Sequence, residues 1–502
     1  GNWRPIGELW AQIDVSNSPA LRAGSSDDAP FHNAPPYQSL PIPRADLPPG
    51  VILSRDMTAF INEGAFDWEL EIVEDEDGNE VEVRHPAVAV PLYEGRMIGQ
   101  FDFSEKGWVS GKGRTAVWSE IGWANKQIEP QYLMLKAQVV GSGIGYDGPK
   151  VAYMRIASAT NTRTMIATFL DGQPAGDSVF FFRSGARSSV DCALIVGAFG
   201  TFAYDFQVRN RLGGLNMSEF VIVETAVSAM RGNDQVCAAV LSLVQRLSIN
   251  GKTFSPTLLR ITGESPARMG VLATPTKWAL TRHERLRLRC TLDAAVAALY
   301  GLDLNDLKWI LRDTDHPAAK VTNRGFFRTL DPKGFWRVDK HEPPERRHTV
   351  LTLAAFADLS ALIADVTAAG GTRDDAIAVF CGQPSKPLPR LDGLIGSIDA
   401  SEGWMLPENF RLADLDLGHD DRAAQPQPVA SMLGPRFYDW QLAQDPVESW
   451  RECELHARNL LGAEGFEKLQ AELEGREANA EPPHTKPRDT KAAKKVEEGL
   501  FG

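Results

Sequence analysis

Lys106, Lys112 and Arg114 stand among Gly107, Gly111 and Gly113 in the stretch from Ser104 to Thr115. Glycine lets a backbone approach a phosphate closely, while Lys and Arg donate to phosphate oxygens or to guanine edges. The same composition equally suits a plain solvated hairpin. A second polar group lies at 160–164, where Asn161, Thr162 and Thr164 offer hydrogen bonds to base edges or phosphates and Arg163 offers a planar fork. That run would also serve as an ordinary turn between strands, and Arg155 just before it could be either a contact or a structural ion-pair partner.

Signals for catalysis fail in their context. Asn33-Ala34-Pro35-Pro36-Tyr37 looks like the Asn-Pro-Pro-Tyr motif with which adenine methyltransferases grip a flipped base, but Ala34 separates Asn33 from the prolines and no apolar strand precedes it. Gly141-Ser142-Gly143-Ile144-Gly145 follows the apolar run Leu133 to Val140, with the spacing of an adenosylmethionine or dinucleotide loop. Such a loop should open a helix; here Tyr146-Asp147-Gly148-Pro149 breaks the chain, so a glycine-rich connection between strands is expected. His419-Asp420-Asp421-Arg422 mimics part of a metal nuclease but lacks a companion Glu-x-Lys, and reads as an Asp-rich turn. No catalytic residue, no cofactor and no metal site is expected.

The chain has 502 residues, 43% of them hydrophobic, enough for two to four packed regions. Cys192, Cys237, Cys290, Cys381 and Cys453 are far apart and never in a Cys-x-x-Cys arrangement, which predicts buried thiols in a reducing cytoplasm. No run of roughly 20 consecutive apolar residues is present, so no membrane insertion is expected. The net charge of −13 is unevenly spread: −11 over residues 1–90, +1 over 91–225, +8 over 226–350 and −11 over 351–502. The basic middle fits either a DNA-facing groove or an ordinary salt-bridged surface.

The elements that must position these residues follow from periodicity and turn chemistry. Residues 1–50 read as an extended, Pro-rich segment. Within 51–90, alternation at 68–73 and 81–85 around Asp77-Gly78 predicts a β-hairpin with an acidic tip at Glu74 to Asp77. Residues 91–225 read as strands and loops closed by one helix through 192–211, because Ile195, Phe199, Phe202 and Phe206 share a helical face. Ser188 with Asp191 would cap it and Gly213-Gly214 stop it. From 226 to 350 the pattern is basic and mainly helical: Leu288, Leu292, Val296 and Leu299 line one face, Gly301 ends that helix, and Asp303 with Asp306 opens another. Arg282, Arg285 and Arg289 recur on its preceding turns, as a salt-bridged face or a phosphate contact. A mixed helical region at 351–475 and a disordered tail at 476–502 complete the expected order.

Several segments in shared order carry a resemblance. PLYEGRMIGQFDFS at 91–104, RIASATNTRTMIATFL at 155–170 and CALIVGAFGTFAYDFQVRNRLGGLN at 192–216 resemble the target-recognition half of type IIG-like adenine DNA methyltransferases of restriction-modification systems, and the recognition domains of type I specificity subunits. Asp293 to Leu311, GFWRVDK at 334–340 and LGHDDRAAQPQPVA at 417–430 are similar to later parts of the same polypeptides. The resemblance implies an α+β fold, with a β-rich target-recognition domain at 91–225 braced by a helix and followed by a mainly helical region. It implies double-stranded DNA as partner, with Lys106, Lys112, Arg114, Asn161, Thr162, Arg163 and Thr164 as DNA contacts. Arg209, Asn210 and Arg211 would be carried to the groove edge, although Arg209 also stands four residues from Asp205 and could be its structural partner. The methylase half is missing. A specificity module working with a methylase, helicase or nuclease partner is the leading expectation; a scaffold of a defence complex that no longer touches DNA, or an enzyme with an unrecognised site, are the alternatives.

Overall fold

The computed structural model of the chain describes residues 88–135, 148–183, 189–228, 234–262, 277–383, 397–399 and 401–474, with the backbone of the strands 3–5, 14–16, 42–43, 52–53, 68–74 and 80–86. The fold is α+β, with small sheets preceding a mainly helical region. The segments Asn33 to Tyr37, Gly141 to Gly145 and 476–502, and the capping residue Ser188, lie outside the described residues.

Two four-stranded sheets form the first part. Pro149–Met154 sits between Ala167–Asp171 and Val179–Arg183, both antiparallel to it, and Asp14–Ser16 adds to the outer edge of the last. Val151, Ala152 and Tyr153 are all buried, as expected of a central strand covered on both faces. In the second sheet Val88–Leu92 pairs antiparallel with Tyr132–Leu135, which pairs in turn with Ile42–Pro43, while Ile52–Leu53 joins in parallel. The predicted hairpin is present as Trp68–Glu74 against Glu80–Pro86.

The predicted single helix through 192–211 is instead two, Ser189–Phe199 and Phe202–Arg211, bent by 72°. Its apolar spacing is real, but other groups take the backbone at the junction. Thr201 is extended, and the Asp293 carboxylate accepts from Phe202 N at 2.6 Å in place of a local cap. Arg163 Nη2 donates to the Gly200 carbonyl at 2.6 Å. The Phe101 ring lies where a side chain at position 200 would be: a Cβ there would meet it at 1.8 Å. Phe101 itself holds a positive φ of 58°.

The Arg282–Leu299 helix is the centre of the helical part. Thr281 caps it by accepting from Glu284 N, and the helix is buried on every side, against Asp234–Ser248 and His348–Ala368 among others. Gly301 follows with φ 75°, and Asp303 with Asp306 forms the capping box of Leu304–Ile310. Helix His348–Ala368 is long and apolar enough to cross a membrane by composition, yet 61% of its most apolar window is buried inside the protein. One cluster of buried apolar side chains extends from Tyr93 to Leu469, so the sheet built on Pro149–Met154 and the helices share a core.

Candidate nucleic-acid interface

The first set of predicted contacts lies on a two-stranded ribbon, Lys106–Ser110 paired antiparallel with Val117–Glu120 and bulged between Trp108 and Ser110. Its turn is locally determined. Gly111 has φ 78°, and a Cβ there would meet the Thr115 carbonyl oxygen at 2.4 Å, so only glycine fits. Trp108 Nε1 and Gln131 Nε2 both donate to the Gly111 carbonyl, at 2.9 and 3.4 Å, and Thr115 Oγ1 donates to Lys112 O at 2.9 Å. Lys112 and Arg114 are exposed at this turn, with Val109 and Val117 exposed on the strands below. Lys106 sits at the ribbon base, half-buried and directly opposite Glu120. Beneath the ribbon, Lys126 Nζ pairs with Asp102 Oδ2 at 2.7 Å, and the Arg285 guanidinium lies 3.3 Å from the Trp123 ring centre.

The second set meets at the end of the Phe202–Arg211 helix, and here the structure divides it. Asn161 and Thr162 are exposed, and their carbonyls both accept from Arg209 Nη2 at 3.0 Å, which fixes their turn beside the helix end bearing Asn210 and Arg211. Asn210 and Arg211 are exposed, their side chains donating to the carbonyls of Phe206 and Gln207.

Arg163, Thr164 and Arg209, predicted as DNA contacts, are buried. Arg163 Nε lies 3.0 Å from Asp205 Oδ2, with its guanidinium 4.3 Å from the Phe202 ring centre, and burial pulls its pKa down against the pull of Asp205. Arg209 takes the other carboxylate oxygen at 3.2 Å and donates to the carbonyls of Lys333 and Gly334. Thr164 N donates to the same carboxylate, and its hydroxyl donates to Ser158 O. A buried carboxylate must gather cations and N–H donors to offset its lost hydration. Asp205 gathers these three residues inward. Arg155, left open by the sequence, pairs with Asp177 and stays partly exposed.

Much of the basic middle is consumed in the same way. Glu284, fully buried, is bound by Arg246, by Arg287 at 2.6 and 2.9 Å and by Arg436 at 2.9 Å. Those cations outweigh burial and hold its carboxyl well below the usual range. Arg285 donates to the carbonyls of Leu247, Ala279 and Phe101, and burial draws it down to about 9. Arg282 is exposed and pairs with Glu342, whereas Arg289 Nη2 donates to His348 Nδ1 at 3.0 Å. His348 Nε2 lies 2.8 Å from Asp293 Oδ2. Burial and then Arg289 push His348 down to about 4, so it is neutral with its proton on Nε2. The spacing of Glu284 and Arg287, three apart on a helix, was the sequence signal for this network.

The His419-Asp420-Asp421-Arg422 segment is a capped turn: Asp420 accepts from Arg422 N, and Arg422 pairs with Glu345 at 2.6 Å. It lines a cleft of about 340 Å³ together with Asp315, His341 and Arg346. Among the described residues no His, Cys, Asp and Glu side chains form a group that could hold a metal ion. The five cysteines are free thiols, and burial raises Cys381 to about 12 and Cys453 to about 11, outside the range of a reactive thiolate.

Comparison with protein-family models, with curated proteins and with solved structures gives no match to this chain.

Proposed function

We propose that this chain is a DNA sequence-recognition module of a restriction-modification or related anti-phage system, working in the cytoplasm with a separate adenine methylase. The observation that carries the reading is the 106–120 ribbon, whose exposed turn holds Lys112 and Arg114 beyond the cross-strand pair Trp108 and Trp118 and outside the shared core. A two-stranded ribbon fits the width of the major groove, where Arg donates two parallel bonds to guanine and Lys meets phosphate. Asn161, Thr162, Asn210 and Arg211 supply a second exposed polar edge suited to base or backbone contacts. A methylase, helicase or nuclease partner docks through the acidic end regions in this reading, and no catalytic group is assigned to the chain itself.

The test is binding of the full chain, alone and with a co-expressed methylase, to a randomised duplex library followed by sequencing of the retained duplexes. Enrichment of one motif supports a recognition module. Retention without enrichment at any salt concentration contradicts it.

A second reading has its own observation. Arg163, Arg209, Arg246, Arg285, Arg287 and Arg347 are all buried, so the positive middle of the sequence does not make a correspondingly positive surface. That favours a scaffold subunit of a defence assembly, whose DNA affinity would be absent under the same assay.

A further inference from the structure

We propose that His316 and His419 form a pH-sensitive latch that holds the loop 415–422 against the Asp313 to Pro317 turn and so closes one wall of the cleft. The two imidazoles are stacked, ring centres 3.7 Å apart and planes 17° from parallel, although 103 positions separate them in the chain. Asp315 ties the two segments together: one oxygen is 3.2 Å from His419 Nε2, and the other accepts from Gly418 N at 2.6 Å. Phe326 meets the His316 ring edge-on at 4.9 Å, and His316 Nδ1 is buried with no hydrogen-bond partner.

The surrounding charges determine how the pair responds to protons. On the His316 side stand Asp313, at 3.9 Å from Nε2, Asp315 and Lys320. Arg347 lies beneath, donating to the carbonyls of Thr314 and His316 at 2.6 and 2.7 Å, and so fixes the turn. The opposing loop brings Asp416, paired with Lys308 at 3.5 Å, and Asp420, Asp421 and Arg422, the last bound to Glu345. His341 and Arg346 complete the cleft wall, with Arg346 beside Glu342.

Asp315 lies against the stack and can offset one positive charge on it, but not two. A second proton places two like charges face to face in a partly desolvated contact. Burial, and after it His419, lower the pKa of His316, so the doubly charged stack forms only below the ordinary histidine range. The stack then repels itself. Gly418, at φ 98°, and Asp416, at φ 52°, provide the turning points on which loop 415–422 swings away.

The experiment is amide hydrogen exchange of the full chain read by mass spectrometry, with protection of peptides spanning 415–422 corrected for intrinsic rates across acidic pH, for the parent and for His316→Phe. Phe keeps an aromatic ring in the stack and removes the titrating group. The parent should lose protection in this loop by up to about tenfold per pH unit below the second titration, the slope of one proton taken up on opening. His316→Phe should show no such slope. His419→Phe, which removes the same charge pair from the other side, should behave likewise and serves if the first variant does not fold. An equal pH response in parent and variants, or a parent loop insensitive to pH, overturns the latch.

Discussion

Arg163 and Asp205 are joined in the interior, guanidinium Nε to carboxylate Oδ2 at 3.0 Å, with both side chains almost wholly removed from solvent. Arg209 binds the same carboxylate four residues along its own helix. Two residues whose types suit DNA are therefore spent on holding the turn at 161–162 and the helix junction at Gly200.

Replacing Asp205 by Ala leaves two guanidiniums buried without their carboxylate and frees Thr164 N. The expected cost is about 3 to 5 kcal/mol, the scale for breaking one side of a buried ion pair. Urea denaturation of Asp205→Ala against the parent checks this. A change below about 1 kcal/mol, within the range of surface pairs, would mean that the cluster is solvated in solution.

The junction at Gly200 makes a steric prediction. Gly200→Ala drives a methyl into the Phe101 ring, which is itself buried. Overpacking of this kind costs about 1 to 3 kcal/mol. The double variant Gly200→Ala with Phe101→Leu should recover part of that cost, so thermal or urea denaturation of the four-member cycle should give a coupling of about 1 kcal/mol. Additive effects would place the ring elsewhere.

His348 predicts an acid dependence of stability. Its folded pKa is lowered to about 4 from 6.5, so below 6.5 the unfolded chain binds a proton that the folded one does not. Stability should therefore fall as pH drops from about 6.5 to about 4, by an amount on the order of 3 kcal/mol, and level off for this group below that. His348→Gln removes the titration. The difference in unfolding free energy between parent and variant, measured by urea at several pH values, should shrink across this window. A difference constant with pH would show that His348 is not buried in its neutral form.

Local signals made much of the fold legible. The alternation on either side of Asp77-Gly78, the Asp303 and Asp306 capping box and the periodic leucines of 288–299 each act locally; the hairpin strands, the cap and the helix are found where expected, while Asp77 and Gly78 themselves lie outside the described residues. Long-range relations were not legible. Nothing near Phe202 announces that Asp293 will cap its helix, and beyond the local spacing of Glu284 and Arg287 nothing in the sequence tells that Arg246 and Arg436 also converge on Glu284. For the candidate site, glycine spacing identified the exposed Lys112 and Arg114 turn, whereas an Arg beside Asn and Thr is compatible with a groove or a core. Asp205, forty-two positions after Arg163, decided for the core.

Among the ribbon residues the expected roles separate by exposure. Arg114→Ala should cost about 1 to 3 kcal/mol at one base position of the enriched motif, as a base-reading arginine does. Lys106→Ala should have the smaller effect, because Lys106 is half-buried opposite Glu120. Competition binding with duplexes substituted one base pair at a time separates these outcomes. An equal weakening for every duplex would assign Arg114 to phosphate.

The most direct measurement of the recognition reading is the salt dependence of duplex binding by the parent and by Lys112→Ala/Arg114→Ala, each with its methylase partner. Neither side chain belongs to the buried core, so the variant should fold as the parent does, which its urea midpoint verifies. If the ribbon faces DNA, affinity falls and the slope of log K against log salt flattens by about 0.9 for each phosphate that the variant no longer neutralises, with site preference altered where Arg114 reads a base. An unchanged slope with the same affinity and the same enriched site would contradict the ribbon as the DNA-reading surface.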